Sequence, residues 1–196
     1  MATTVVARKN VLVHSKPQRG FSLLEVVISM AVLTIGLVSL LGVFCIAMAA
    51  TQDTQQDMIA KQLANEAIES IVTARDTAQL QWDAIQNVAD GGIFLNNLQQ
   101  IYTAGGDGIL GTADDVAGGQ YQTLTEPGPD GIYGTGDDVQ LPLSNYQRQI
   151  QIQPVLGAGG AVDPTLRIIN ITIQYNTPRM RAAKTYVLTT YISQFR

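Results

Sequence analysis

The sequence predicts an α+β fold in which one long helix near the amino terminus packs, over its second half, on a small antiparallel sheet near the carboxyl terminus. Three observations carry that expectation. An apolar stretch opens at Phe21, and neither Gly nor Pro interrupts residues 43–90. From residue 51 to 75 apolar side chains keep helical spacing, with Ile59, Leu63, Ala67 and Ile71 in one row and Ala60, Ala64, Ile68 and Val72 beside it. Near the end, three runs alternate polar and apolar residues and are rich in Ile, Val, Thr and Tyr: 146–154 (YQRQIQIQP), 166–175 (LRIINITIQY) and 185–193 (TYVLTTYIS).

The first 20 residues contain Arg8, Lys9, Lys16 and Arg19 and no acid. That is the charge bias of a cytoplasmic flank, so residues 1–20 read as a basic cytoplasmic leader and the remainder as exported, N-in and C-out. Taking those four bases from the 12 Lys and Arg leaves eight against all 16 acids, a formal charge of −8 on the exported part. Between Glu25 and Asp53 lie 27 residues without a charge, more than the roughly 20 that a helix needs to cross the ~30 Å hydrocarbon layer. One helix is expected over residues 21–75, transmembrane to about residue 50. At ~1.5 Å per residue it would reach about 80 Å, so its second half must stand outside the bilayer. A secretory signal peptide shares this polarity, but its apolar core runs to only about 7–15 residues before a small-x-small cleavage site. The segment is therefore expected to stay on the mature chain, which starts in the inner membrane.

Residues 76–196 form the expected exported globular domain. Short helical pieces are predicted over 79–101, around the Asp90-Gly91-Gly92 break. From 105 to 141 the composition turns to Gly, Asp, Pro and Thr, which is loop chemistry. The three alternating runs, separated by 157–164 and 176–184, supply the sheet over 146–193.

The loop region repeats itself. Residues 106–116 read GDGILGTADDV and residues 129–139 read PDGIYGTGDDV, 23 residues later. The shared frame D-G-I-x-G-T-x-D-D-V gathers Asp107, Asp114 and Asp115 in one copy and Asp130, Asp137 and Asp138 in the other. Three carboxylates in a short loop repel one another unless a cation neutralises them, and carboxylate and carbonyl oxygens in a flexible loop suit Ca2+. Neither copy has the alternating acids and terminal Glu of an EF-hand. The alternative is a pair of polar turns closed by Asx hydrogen bonds.

Glu25 sits five residues into the apolar segment, in Arg19-Gly20-Phe21-Ser22-Leu23-Leu24-Glu25. A carboxylate at mid-membrane costs about 2.5–3.5 kcal/mol on insertion scales, so it needs a partner or a place near the interface. This stretch resembles the processing site of type IV prepilins and of the pseudopilins of type II secretion. The resemblance implies cleavage after Gly20 by a prepilin peptidase and methylation of the new amine of Phe21. It further implies assembly with other pilin or pseudopilin subunits, on an inner-membrane platform, into a periplasmic or extracellular filament. It also gives Glu25 a counter-ion in the amine of a neighbouring subunit; such a pair would penalise wrong registers, because a shifted subunit leaves a buried charge alone. Residues 59–71 (IAKQLANEAIESI) and the closing TYVLTTYIS are similar to PilV-type minor pilins, so the expected fold is pilin-like. The aspartate frame resembles the calcium loop of the major pseudopilin of type II secretion, but here it occurs twice and ahead of the sheet strands.

His14 is the only histidine and lies in the leader, and Cys45, the only cysteine, lies in the apolar run. The exported part thus has no Ser/His/Asp, Cys/His or zinc arrangement, the chain has no G-x-x-x-x-G-K-[ST] loop, and no enzymatic role is expected. Arg179, Arg181 and Lys184 form a small basic group, read as a solvated turn; on a domain of net −8 no nucleic-acid partner is expected. The sequence thus points to a minor pilin of a type IV pilus, with a minor pseudopilin of type II secretion as the nearest alternative. A membrane-anchored calcium-binding domain that never assembles is the third.

Overall fold

The computed structural model describes residues 20–157, 159–177 and 182–195; the leader, with Arg8, Lys9, His14, Lys16 and Arg19, and also Arg179 and Arg181, lie outside them. The chain divides into two compact units, Met1–Ile46 and Ala47–Arg196. Helix α1, Leu23–Asp76, begins in the first and has Glu25 in its first turn. Its bounds differ from the expected 21–75 by one or two residues.

In the first unit the apolar side chains of α1 are exposed all round, from Leu23 and Leu24 through Leu33, Leu40 and Ile46. This is the surface expected of a helix whose solvent is hydrocarbon. Its polar side chains satisfy themselves locally: the hydroxyls of Ser29, Thr34 and Ser39 donate to the carbonyls of Glu25, Met30 and Ile35 at 2.7, 2.6 and 2.9 Å. That back-bonding lets a hydroxyl stay in an apolar helix without an unmet polar group.

In the second unit the remainder of α1 packs on an antiparallel sheet with strand order β1-β4-β5-β6. Its strands are β1 (Gln99–Gln100), β4 (Tyr146–Leu156), β5 (Val162–Tyr175) and β6 (Lys184–Ser193). A separate hairpin pairs β2 (Thr123–Glu126) with β3 (Val139–Pro142), and a short helix α2 spans Ala113–Gly118. The buried stripe of α1 is Ala60, Leu63, Ala64, Ala67, Ile71 and Ala74, facing Ile150 and Ile152 of β4 and Ile169, Ile171 and Ile173 of β5 in one core. Alanines dominate the stripe, so the helix axis lies close to the sheet and the isoleucines fill the space between. Strand β5 starts at Val162 and not at Leu166, because Val155 and Leu156 pair with Asp163 and Val162 beyond a register shift at Pro154. Proline has no amide to donate to the ladder, and a bulge there absorbs the mismatch.

Strand β1 pairs only with Gln147 and Arg148, which would leave the rest of that edge of β4 open. Asn87, 1% exposed, continues the ladder with its side chain. Its amide donates to the carbonyls of Ile150 and Phe94 at 2.8 and 3.2 Å, and its oxygen accepts from the Ile152 amide at 2.8 Å. Asn87 precedes one of two 3-10 turns, Trp82–Ala84 and Val88–Asp90, where short helical pieces were expected. Arg167 of β5 anchors the first turn by donating to the carbonyls of Trp82 and Ile85, its guanidinium 4.5 Å from the Trp82 ring centre.

Lys184 is not a free member of a solvated turn. It opens β6 and donates to both oxygens of Asp57 on α1 at 2.8 and 3.0 Å, while the Tyr175 hydroxyl donates to Asp57 at 2.7 Å. The Lys184 bond, with help from Tyr175, holds the Asp57 carboxyl below the usual carboxylate range. A depressed folded value means that the contribution is complete above the unfolded value, near pH 4, and is lost as pH falls through the folded one. Asp57 keeps 40% of its side-chain exposure, so screening limits the ion pair to about 1 kcal/mol. Asp57→Asn should therefore lower stability at pH 7 by about 1 kcal/mol. In thermal unfolding of the full chain in detergent micelles, the gap between variant and parent should close as pH falls below the unfolded carboxylate value and through the folded one; a gap that persists unchanged in strong acid would contradict this role.

Candidate functional site

The two aspartate frames fold alike. Gly108 and Gly131 both have φ 69°, and Gly111 and Gly134 have φ 88° and 85°, left-handed values that favour glycine. The Ile109 amide donates to Asp107 at 2.8 Å and the Ile132 amide to Asp130 at 2.9 Å, the Asx turns of the two copies. Further equivalent pairs follow at the same spacing. The amides of Asp107 and Asp130 donate to Asp114 and Asp137 at 3.1 and 3.4 Å, and the amides of Gly111 and Gly134 to Asp115 and Asp138 at 2.6 and 2.7 Å. The hydroxyls of Thr112 and Thr135 donate to Asp114 and Asp137.

Their surroundings differ. Asp115 is 3% exposed and also accepts from the amides of Gly105 at 2.7 Å and Thr112 at 3.4 Å. Asp137 is exposed and Asp138 half-buried, in the loop of the β2–β3 hairpin. The first copy winds into α2 directly after Thr112, whereas the second has no helix after Thr135. The sequences differ there by Ala113 against Gly136, a difference worth about 1 kcal/mol of helix propensity. The composition of 105–141 pointed to loop alone; the Thr-x-x-Asp spacing occurs in both copies, so Ala113 in place of Gly136 is the one signal within the frame that separates the copy that forms α2.

Asp107, Asp114 and Asp115 each offer one carboxylate oxygen, and these three oxygens lie within 4.8 Å of one another. Two oxygens bound to one Ca2+ at about 2.4 Å can be no more than about 4.8 Å apart, so this group can hold a metal ion. Among the described residues the counterpart group Asp130, Asp137 and Asp138 is not gathered in this way. Repulsion in the first copy is met first by the protein itself. The Thr112 hydroxyl and then the Asp107 amide hold the Asp114 carboxyl below the usual range. Burial pushes the Asp115 carboxyl up, against the pull of the Gly111, Gly105 and Thr112 amides and of Arg148. Arg148, 5% exposed, lies on the inward row of β4 with Tyr146, Ile150 and Ile152. Burial pulls its own value down, opposed by Glu66 and Asp115. Strand alternation alone would have put Arg148 inside and shown the loop an internal cation; Ser70 of α1, whose Oγ accepts from the Leu110 amide at 3.1 Å, carried no such signal.

The predicted cleavage residues lie at the other end of the described chain. Gly20 and Phe21 precede α1 and are exposed, Phe21 by 82%. Glu25 is exposed in the first helical turn, where the partial positive charge of the helix terminus favours a carboxylate. A Cβ on Gly20 would meet nothing within 4 Å among the described residues.

Because Asp115 is buried on three amides and Asp138 is partly exposed, the two copies should respond unequally to truncation. Asp115→Ala should cost about 3 kcal/mol in chemical unfolding and Asp138→Ala less than about 1 kcal/mol; equal costs would contradict the burial difference.

Residues 15–41 match the family of the prokaryotic N-terminal methylation motif. No curated protein and no solved structure matches the chain. The motif covers the junction at Gly20 and Phe21, Glu25 and the start of α1, and α1 is long and apolar enough to cross a membrane. The chain thus carries the prepilin-type signal of type IV pilin-like proteins.

Proposed function

We propose that this chain is a structural minor pilin of a type IV pilus. It enters the inner membrane as a prepilin, N-in and C-out, and is cut by the prepilin peptidase between Gly20 and Phe21. It is then methylated on Phe21 and assembled on the inner-membrane platform through the apolar half of α1. The observation that carries this reading is the coincidence of the methylation motif over 15–41 with a helix whose apolar side chains are exposed on every face. In this role Glu25 pairs with the Phe21 amine of a neighbour and fixes axial register, since a displaced carboxylate would sit unpaired in hydrocarbon. The protein works by packing, not by catalysis.

The cluster of Asp107, Asp114 and Asp115 favours a second reading, a minor pseudopilin of type II secretion, to whose calcium loop the frame bears resemblance. In either case the first copy is the proposed Ca2+ site. Asp107, Asp114 and Asp115 would hold the ion, which would add positive charge to that which Arg148 already brings to Asp115. Asp130, Asp137 and Asp138, which are not gathered in this way, do not carry the same proposal.

The amino terminus and intact mass of the protein recovered from its native membrane test the main reading. The expected start is methylated Phe21 only when the peptidase is present, with Glu25→Ala processed normally but recovered in filaments at a tenth or less of parental abundance. A chain that keeps Met1, or a Glu25→Ala variant at parental abundance, would overturn it.

For calcium, millimolar Ca2+ should raise the melting temperature of the parent by several degrees through binding to the folded state. Asp114→Asn should remove most of that rise. No rise in the parent would remove the proposed site.

A further inference from the structure

The interior of the second unit holds a cation that protein groups do not fully satisfy. Arg148 is 5% exposed, and its Nη1 atom, shielded from solvent, has no hydrogen-bond partner among the described residues. A charged donor left so is costly, and folded proteins meet such groups with another protein atom or with an ordered water. A small cavity of about 10 Å³ lies beside it, with Arg148, Asp115, Tyr102, Gln99, Leu95 and Ile150 in its wall. That is close to the least room that one water molecule takes, and too little for any larger ligand.

Asp115, in the same wall, has a place for such a molecule. A carboxylate offers about four acceptor sites. Amides fill three of them: Gly105 donates to Oδ1 at 2.7 Å, and Gly111 and Thr112 donate to Oδ2 at 2.6 and 3.4 Å. The site left over is on Oδ1. A water in the cavity that accepts from Arg148 Nη1 and donates to Asp115 Oδ1 satisfies the orphan donor and the spare acceptor together.

We propose that one internal water molecule binds here between Arg148 Nη1 and Asp115 Oδ1, and that through it Arg148 serves as the resident counter-charge of the first aspartate loop. The charge of three converging carboxylates is then met from strand β4 beneath them, so the loop keeps its shape with or without a metal ion. Glu66 of α1 also acts on Arg148, which brings the helix into the same network. The bridge rests on Arg148 and the cavity and does not require that the loop bind Ca2+.

A crystal structure of the full chain, grown from detergent in the presence of EDTA, tests the water without any variant. A density peak about 3 Å from both Nη1 and Oδ1 is expected; a direct bond between these atoms, or a dry cavity, would overturn the site. Amide hydrogen exchange of the full chain in micelles with EDTA tests the counter-charge. In Arg148→Met the amides of Gly105, Gly111 and Thr112 should exchange about tenfold faster, with little change at Ile171 in the central strand β5. Arg148→Lys, which keeps the charge, should restore most of that protection. Unchanged exchange at the three loop amides, or an equal acceleration at Ile171, would overturn the role of Arg148. A Ca2+ titration of the parent keeps the two readings apart. A melting temperature that does not rise defeats the Ca2+ site and leaves the bridge, whereas a rise without the water defeats the bridge alone.

Discussion

The second unit depends on one close approach, that of the sheet to α1 across Ala60, Ala64, Ala67 and Ala74, each 2% exposed or less. Small side chains here let Ile169, Ile171 and Ile173 reach the helix surface; a larger residue in the stripe would lift the sheet and open the space that those isoleucines fill. The polar fastenings are arranged around this seam. Asp57, Tyr175 and Lys184 tie α1 to β5 and β6, and Arg167 ties β5 to the turn that follows α1. They orient a contact whose driving force is apolar burial.

The same helix meets two environments by changing its pattern along its length. Over its first half every face is apolar, and its hydroxyls bond back to their own backbone; over its second half one face is small and buried and the others carry Lys61, Asn65 and Glu69. Because no glycine or proline separates the halves, the change is one of side chains alone.

Much of the fold was legible in the sequence because it rests on period. The 3.6-residue repeat of α1 and the two-residue repeat of β4, β5 and β6 reflect which residues face the core. What periodicity could not reveal were side chains that stand in for backbone or for an ion. Asn87 completes a ladder for a strand that ends early, and Arg148 sits on an apolar row beside Asp115. Lys184 read as part of a basic turn because its partner Asp57 is far off in sequence. The aspartate loops were legible as a pair because they repeat, but nothing in two nearly identical frames could say that one is inside and the other outside. That difference comes from Ser70 and the core beneath Ile109, not from the loops themselves.

The duplication also leaves its two copies with unequal freedom to change. At Gly111 a side chain would have to be accommodated both by a left-handed backbone and by the Ile150 side chain, which it would strike. At Gly134 the backbone has the same handedness, but there is open space around it. A substitution there costs only the strain of about 1–2 kcal/mol that an L-residue bears in that conformation. The inner copy is thus held to its present sequence by the fold, while the outer copy can acquire new side chains without unfolding the domain. Change in the surface of the second unit has its least costly route through the hairpin loop.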